Sequence, residues 1–386
     1  MTIEQPPQKA AIRFENLDAL RGICALLVAL FHFHSTGYLV QLPIVKNGWL
    51  FVDYFFVLSG FVIAHSYGER LGSDQVSLAR FMSLRIGRIV PLHLAILAAF
   101  VALELALFLL PDVLGKFTSR QPFEDHRDIP LLIQNVAMLH SFGLGDKLSW
   151  NSPSWSIAAE MWTYFVFALV FIVRGRSLWP VAAMSIVAGA IIVTNWSSLS
   201  LTYDWGFLRC VFGFGIGVLT YHAWRRWDAK LSGHWEILAV LLVVGFVSLA
   251  ENEVTFAAPF IFAVTIFVLA QQRGAVSRIL NLSFLQFLGL ISYSIYMVHM
   301  FVQARLGEVL AVTRLAAIDR RPDGSIILQA PPLVGDALTL MMLALVVIVS
   351  WLSYRIIEKP GQTFTKRWLA KRDAVRAAKG EVASGS

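Results

Sequence analysis

The chain has 386 residues, of which 57% are hydrophobic and 15% charged, with a formal net charge of +7. That composition leaves too little polar surface for a water-soluble fold of this size, so lipid is the expected solvent. The positive charge does not point to nucleic acid, because the basic residues gather at the ends of apolar runs and near the C-terminus rather than on one face. Cys24 and Cys210, the two cysteines, both lie inside apolar runs. They read as packing residues, not as a disulfide framework or a thiolate metal site.

Apolar runs long enough to cross a hydrocarbon core of about 30 Å predict an all-α, polytopic integral membrane protein of about ten transmembrane helices. The first, at 17–38, is as long as a full span and carries Asp18 and Arg21 near its start, which is unlike a cleavable signal peptide. Arg21 and His32 are eleven residues apart on it, about three turns, so they share a face about 16 Å apart along the axis. Gly22, Ala25 and Ala29 lie on that face, where small residues admit a neighbouring backbone or a ligand. The second helix, 47–66, places Asp53 near its outer end, with Ser59 and Gly60 suited to close packing. The third, 86–110, begins beside Arg85 and Arg88, three apart on one face. Two fixed guanidinium groups there fit phosphate oxygens, although an ordinary positive-inside anchor would look the same.

A polar stretch, 111–152, follows, with an apolar segment at 129–142 expected to lie in the membrane interface. The fourth helix, 153–173, opens with Ser152-Pro153-Ser154-Trp155, a helix-start signature. Ser156, Glu160, Thr163 and Tyr164 form one polar stripe along it. Further helices are predicted at 178–195, 206–223, 235–250 and 254–271, with Arg209 placed to snorkel at an outer end. The ninth, 285–306, repeats Ser292, Tyr296, His299 and Gln303 at steps of four, three and four, either a substrate-lining wall or interhelical hydrogen bonding. After a loop at 307–333 with a turn at Arg320 to Gly324, the tenth helix is expected at 334–356. The ten helices make one domain, 1–361, followed by a flexible, basic cytoplasmic tail, 362–386.

Lysine and arginine cluster in the N-terminal segment, in the loops bearing Arg70, Arg80, Arg174, Arg176, Arg225, Arg226 and Lys230, and in the tail, which predicts both termini in the cytoplasm. On that topology His32 and Glu160 sit at similar depth in the outer half of the membrane. Ionisable groups in hydrocarbon cost at least about 2 to 3 kcal/mol each, so all of these residues are functional candidates. Packing for His32 and an arginine partner for Glu160 stand as alternatives on spacing alone.

Six segments in order resemble the acyltransferase-3 family. They are Asn16 to Gly22 with His32; Phe51 to Phe61; Arg85-Ile86-Gly87-Arg88 with Pro91; Pro153-Ser154-Trp155-Ser156 with Glu160; Ile291 to Tyr296 with His299; and Tyr354 with Glu358-Lys359-Pro360. One departure is that Met161-Trp162 stands where the family often carries a second acidic residue. The resemblance implies a membrane O-acyltransferase that moves an acyl group, acetyl first among the candidates, from acyl-CoA to a hydroxyl of a carbohydrate or glycolipid acceptor. Acyl-CoA is then a co-substrate, and no bound cofactor or metal is required. The implied partners are acyl-CoA, the acceptor and membrane lipid, with no nucleic acid, and the implied location is the bacterial inner membrane. In this reading His32 is the general base and Glu160 its acidic support. Arg21, Arg85 and Arg88 hold the donor, while Asp53, Ser59, Ser156, Tyr296 and His299 line the substrate path. A transporter or flippase for an acyl group or glycan is the alternative.

Overall fold

The computed structural model describes residues 13–73, 75–114, 121–175, 177–227, 231–313, 317–320 and 326–384. The principal helices are α1 (Glu15–Phe31), α2 (Phe51–Ile63), α3 (Leu78–Leu109), α4 (Ile129–Val136), α5 (Ser154–Arg174), α6 (Trp179–Asn195) and α7 (Gly206–Arg226). They continue with α8 (His234–Leu249), α9 (Ala258–Leu269), α10 (Ala275–Leu280), α11 (Ser283–Leu290), α12 (Ser292–Val312), α13 (Pro332–Ser353) and α14 (Lys359–Ser384). Among the described residues, seven helical stretches are long and apolar enough to cross a membrane: Gly48–Gly72, Leu78–Leu109, Ser154–Arg174, Gly206–Arg226, Asn252–Leu269, Ser292–Val312 and Pro332–Val375. The chain is thus a multi-pass, all-α membrane protein. Each remaining predicted span coincides with a shorter helix, α1, α6 or α8.

Helices α2 and α7 touch backbone to backbone. A β-carbon at Gly60 would stand 2.0 Å from the Phe214 carbonyl oxygen, and one at Gly217 only 1.9 Å from that of Val57. Helices α1 and α11 meet the same way, since a β-carbon at Gly22 would lie 2.4 Å from the Leu288 carbonyl carbon and one at Gly289 would lie 2.3 Å from Asp18 O. With little hydrophobic drive between helices in lipid, such close approach supplies the dispersion contacts that hold them.

A buried ion pair also locks α2 to α7. Arg209 donates from Nε to Asp53 Oδ1 at 2.9 Å and from Nη2 to Asp53 Oδ2 at 2.6 Å. Its Nη1 reaches the Leu201 carbonyl at 3.2 Å, and the Trp49 and Trp155 rings flank the guanidinium at 5.1 and 5.4 Å. Both charged side chains are almost wholly shielded, at 1% and 0% exposure. Arg209 therefore does not snorkel to an interface, because its charge is neutralised where it stands.

Several expected boundaries differ. Helix α1 stops at Phe31 rather than 38, because the chain turns into strand β1 (His34–Ser35). β1 pairs in parallel with β3 (Ile326–Gln329), which pairs antiparallel with β2 (Ala317–Arg320). The expected loop at 307–333 therefore begins with the end of α12 and contains a hairpin, whose turn at 321–324 lies outside the described residues. The ninth predicted helix is split at Ile291 into α11 and α12. After a π-helical turn at Tyr354–Glu358, α14 continues the tenth helix as far as Ser384. It packs on α3, where Gly87 faces Thr365 and Gly361 faces Pro91, and Arg80 pairs with Asp373. Alternating alanine with lysine and arginine favours helix strongly, which accounts for the helical course of the segment expected as a tail.

Candidate functional site

Helices α1, α2, α3, α5 and α12 wall a cavity of about 100 Å³ that opens to the outside. Arg21, Ser59, Arg85, Arg88, Ser156, Glu160, Tyr164 and Tyr296 all line it. These eight residues, all singled out in the sequence and drawn from five helices, thus converge on one space.

The cavity is rich in cations. Arg21 is aimed by the break between α11 and α12, where a helix end exposes acceptors. Its Nε donates to Ser292 Oγ at 2.8 Å and its Nη2 to the Gly289 carbonyl at 3.3 Å, with Asp18 Oδ1 at 3.6 Å. Arg85 is held by aromatic rings: its guanidinium carbon lies 5.1 Å from the Tyr67 ring, 5.7 Å from Phe81 and 5.8 Å from Tyr164. Arg85 Nη2 also donates to Tyr67 Oη at 3.2 Å. Its Nε is buried without a partner among the described residues, an unmet donor whose burial is costly unless a ligand satisfies it. Arg88, one turn on, is partly exposed to the cavity. Tyr67 was not legible as a site residue, since it reaches Arg85 from a π-helical turn, Ala64–Gly68, that no residue pattern announces.

Glu160 is the carboxylate of this cavity. Ser59 Oγ and Tyr164 Oη both donate to its Oε1. Beyond it, Ser156 Oγ and Tyr296 Oη are 2.7 Å apart, and Tyr296 donates to the Pro153 carbonyl at 3.0 Å. The Phe55 ring stands edge to face with Tyr296, centroids 5.7 Å apart.

His32 and His299, the latter expected in the lining, are outside it, beside Tyr296. The Tyr296 and His299 rings are 5.9 Å apart, and His299 Nε2 is 3.3 Å from His32 Nδ1. The structure therefore joins His32 to His299 and Glu160 to Ser59 and Tyr164, and does not join His32 to Glu160 by a hydrogen bond. Asp53, expected in the lining, stands outside it, its carboxylate fully buried against Arg209.

A second polar cluster adjoins the start of α5. His93 and His140 stack with ring centroids 6.0 Å apart. His140 Nε2 lies 3.0 Å from Ser154 Oγ, and Asn135 bridges Ser149 and Leu131. Burial, then the neighbouring His93, pushes His140 down to about 3, so its ring is neutral.

Fold and cavity together define a multi-pass membrane protein whose spans form a chamber lined, among the described residues, by three arginines, one carboxylate and several hydroxyls. The particular family follows from comparison with known proteins: residues 14–355 match the model of the acyltransferase-3 family, described as an acyltransferase domain. The chain belongs to that family and is an acyltransferase. It is 33% identical to protein 2 in the picA locus of Rhizobium radiobacter, over 43% of this chain and 84% of that protein. It is 26% identical to the acyltransferase MdmB of Streptomyces mycarofaciens, over 97% of this chain and 96% of that protein. Identity to the peptidoglycan O-acetyltransferase OatA of Listeria monocytogenes is 24%, over 89% of this chain but 55% of the relative. No solved structure matches the chain.

Proposed function

We propose that this chain is a ten-span O-acyltransferase of the bacterial inner membrane that takes an acyl group, acetyl first among the candidates, from acyl-CoA and transfers it to a hydroxyl of a carbohydrate or glycolipid. The observation that carries this reading is the convergence of Arg21, Arg85 and Arg88, from two helices, on one cavity with a buried and unmet guanidinium donor. Planar guanidinium forks suit phosphate and pyrophosphate oxygens, and a site of low dielectric strengthens each contact. OatA's name, with its O-acetyl transfer to a glycan, supports the same direction.

In this account α1, α6 and α8 complete the ten spans, both termini face the cytoplasm, and residues 1–361 form the catalytic domain. The arginines hold the phosphate-bearing part of the donor. His32 is the general base: it takes the proton from the acceptor hydroxyl as the oxygen attacks the acyl carbonyl. The carbon–sulfur bond then breaks, and the imidazolium returns that proton to the departing sulfur. Glu160 serves as the cavity's counter-charge and fixes Ser59 and Tyr164, and Tyr296 separates the donor chamber from His32.

The test is transfer of labelled acetyl from acetyl-CoA into the envelope polysaccharide of membranes that carry the protein. Incorporation that needs the protein, with one free thiol released per acetyl transferred, is the expected result. Acetyl carried across the membrane without a new ester would instead identify a transporter.

A further inference from the structure

Each of the two paired histidines has its tautomer set by a backbone carbonyl. His32 Nδ1 lies 2.9 Å from the Val28 carbonyl oxygen, and a carbonyl only accepts, so the proton of neutral His32 is on Nδ1. His299 Nε2 faces that same nitrogen at 3.3 Å. Two N–H groups cannot point at each other, so His299 carries its own proton on Nδ1, where the Ile295 carbonyl accepts it at 3.3 Å. The assignment closes without conflict. His32 Nδ1–H is shared between Val28 O and His299 Nε2, and the lone pair of His32 Nε2 is left for a substrate.

We propose that His299 is the positioning residue of the His32 base, a neutral imidazole doing what a carboxylate does in an acid–histidine pair. The inference rests on the reading of His32 as the base. His299 is fully buried, whereas His32 is partly exposed, so the inner ring is fixed and the outer one can meet a substrate. One turn along α12, Gln303 Nε2 donates to the Ala29 carbonyl at 2.7 Å and holds α12 against α1. The Phe31 ring, edge-on with centroids 4.8 Å apart, braces His32 from its own helix. When His32 Nε2 takes the hydroxyl proton, the Nδ1–H of the imidazolium keeps both acceptors, and the new charge lies against the lone pair of His299 Nε2. A neutral acceptor costs less to bury than a carboxylate.

The experiment measures acetyl transfer from labelled acetyl-CoA into envelope polysaccharide by membranes carrying the full chain, comparing wild type with His299→Leu, His299→Gln, His299→Asn and His32→Gln. Because Val28 O still fixes the tautomer, His299→Leu should lower apparent kcat about 10- to 100-fold while leaving the apparent KM for acetyl-CoA within about twofold. His299→Gln should recover most of the rate, since its Oε1 can reach Nδ1, and the shorter His299→Asn should not. His299→Leu added to His32→Gln should cost nothing further. Wild-type kcat in His299→Leu, with His32→Gln inactive, would overturn the positioning role and leave the base intact. Full activity in His32→Gln would overturn the base itself. If His299→Leu does not accumulate, equal rates for the Gln and Asn variants would decide against the proposal.

Discussion

Arg209 and Arg85 show two uses of a buried guanidinium. Arg209 is consumed by the Asp53 carboxylate and two tryptophan rings, so Arg209→Ala should destabilise the protein by about 3 to 5 kcal/mol, because it strands a buried carboxylate. Replacing both partners, as Asp53→Leu with Arg209→Met, should recover much of that loss, and thermal unfolding in detergent would show either result. Arg85 is instead caged by rings with its Nε unmet. Arg85→Lys keeps charge but loses the fork, and should bind CoA more weakly than wild type yet better than Arg85→Ala in a titration of the purified protein. Spacing exposed Arg21, His32, Glu160 and Tyr296 as polar residues in apolar helices, but not their partners. Asp53 and Arg209 are 156 residues apart and His32 and His299 are 267 apart, distances over which a local pattern carries no signal.

Helices were the most legible level, since each predicted apolar run falls on a helix. What the runs did not show is where the backbone changes course. The apolar pattern runs unbroken through Ile291, yet the chain breaks there and presents the Gly289 carbonyl to Arg21. The first predicted span also extends past Phe31, yet strand pairing with the distant 326–329 segment ends the helix. Glycines at crossings give the sharpest test of this packing. Gly217→Val should prevent accumulation of folded protein, because its side chain would collide with the Val57 backbone. Gly245→Val, on α8 with nothing within 4 Å of its would-be β-carbon, should be tolerated, as yield of monodisperse protein would show. The segment around His140 gives a pH test. Its folded pKa of about 3 lies below the ordinary value of 6.5. The unfolded segment therefore binds more protons, and local stability is lost as pH falls below about 6.5. Amide protection at 137–153, taken relative to the intrinsic exchange rate at each pH, should fall from pH 7 to pH 5, and less so in His140→Gln.

For the molecule as a whole, the proposed topology puts the arginine cluster towards the cytoplasm and His32 towards the opposite face. A cytoplasmic reporter joined after Lys379 should be active, and an extracytoplasmic one silent. The opposite result would reverse the donor's route into the cavity. In the proposed division of labour, the three arginines receive the phosphate-bearing donor and the histidines do the chemistry. Equilibrium binding of labelled acetyl-CoA to the purified protein tests it most directly. Arg21→Ala, Arg85→Ala and Arg88→Ala should each weaken binding about 10- to 100-fold, the worth of a charge-assisted hydrogen bond, with His32→Ala binding as wild type does. Unchanged affinity in all three arginine variants would contradict the account.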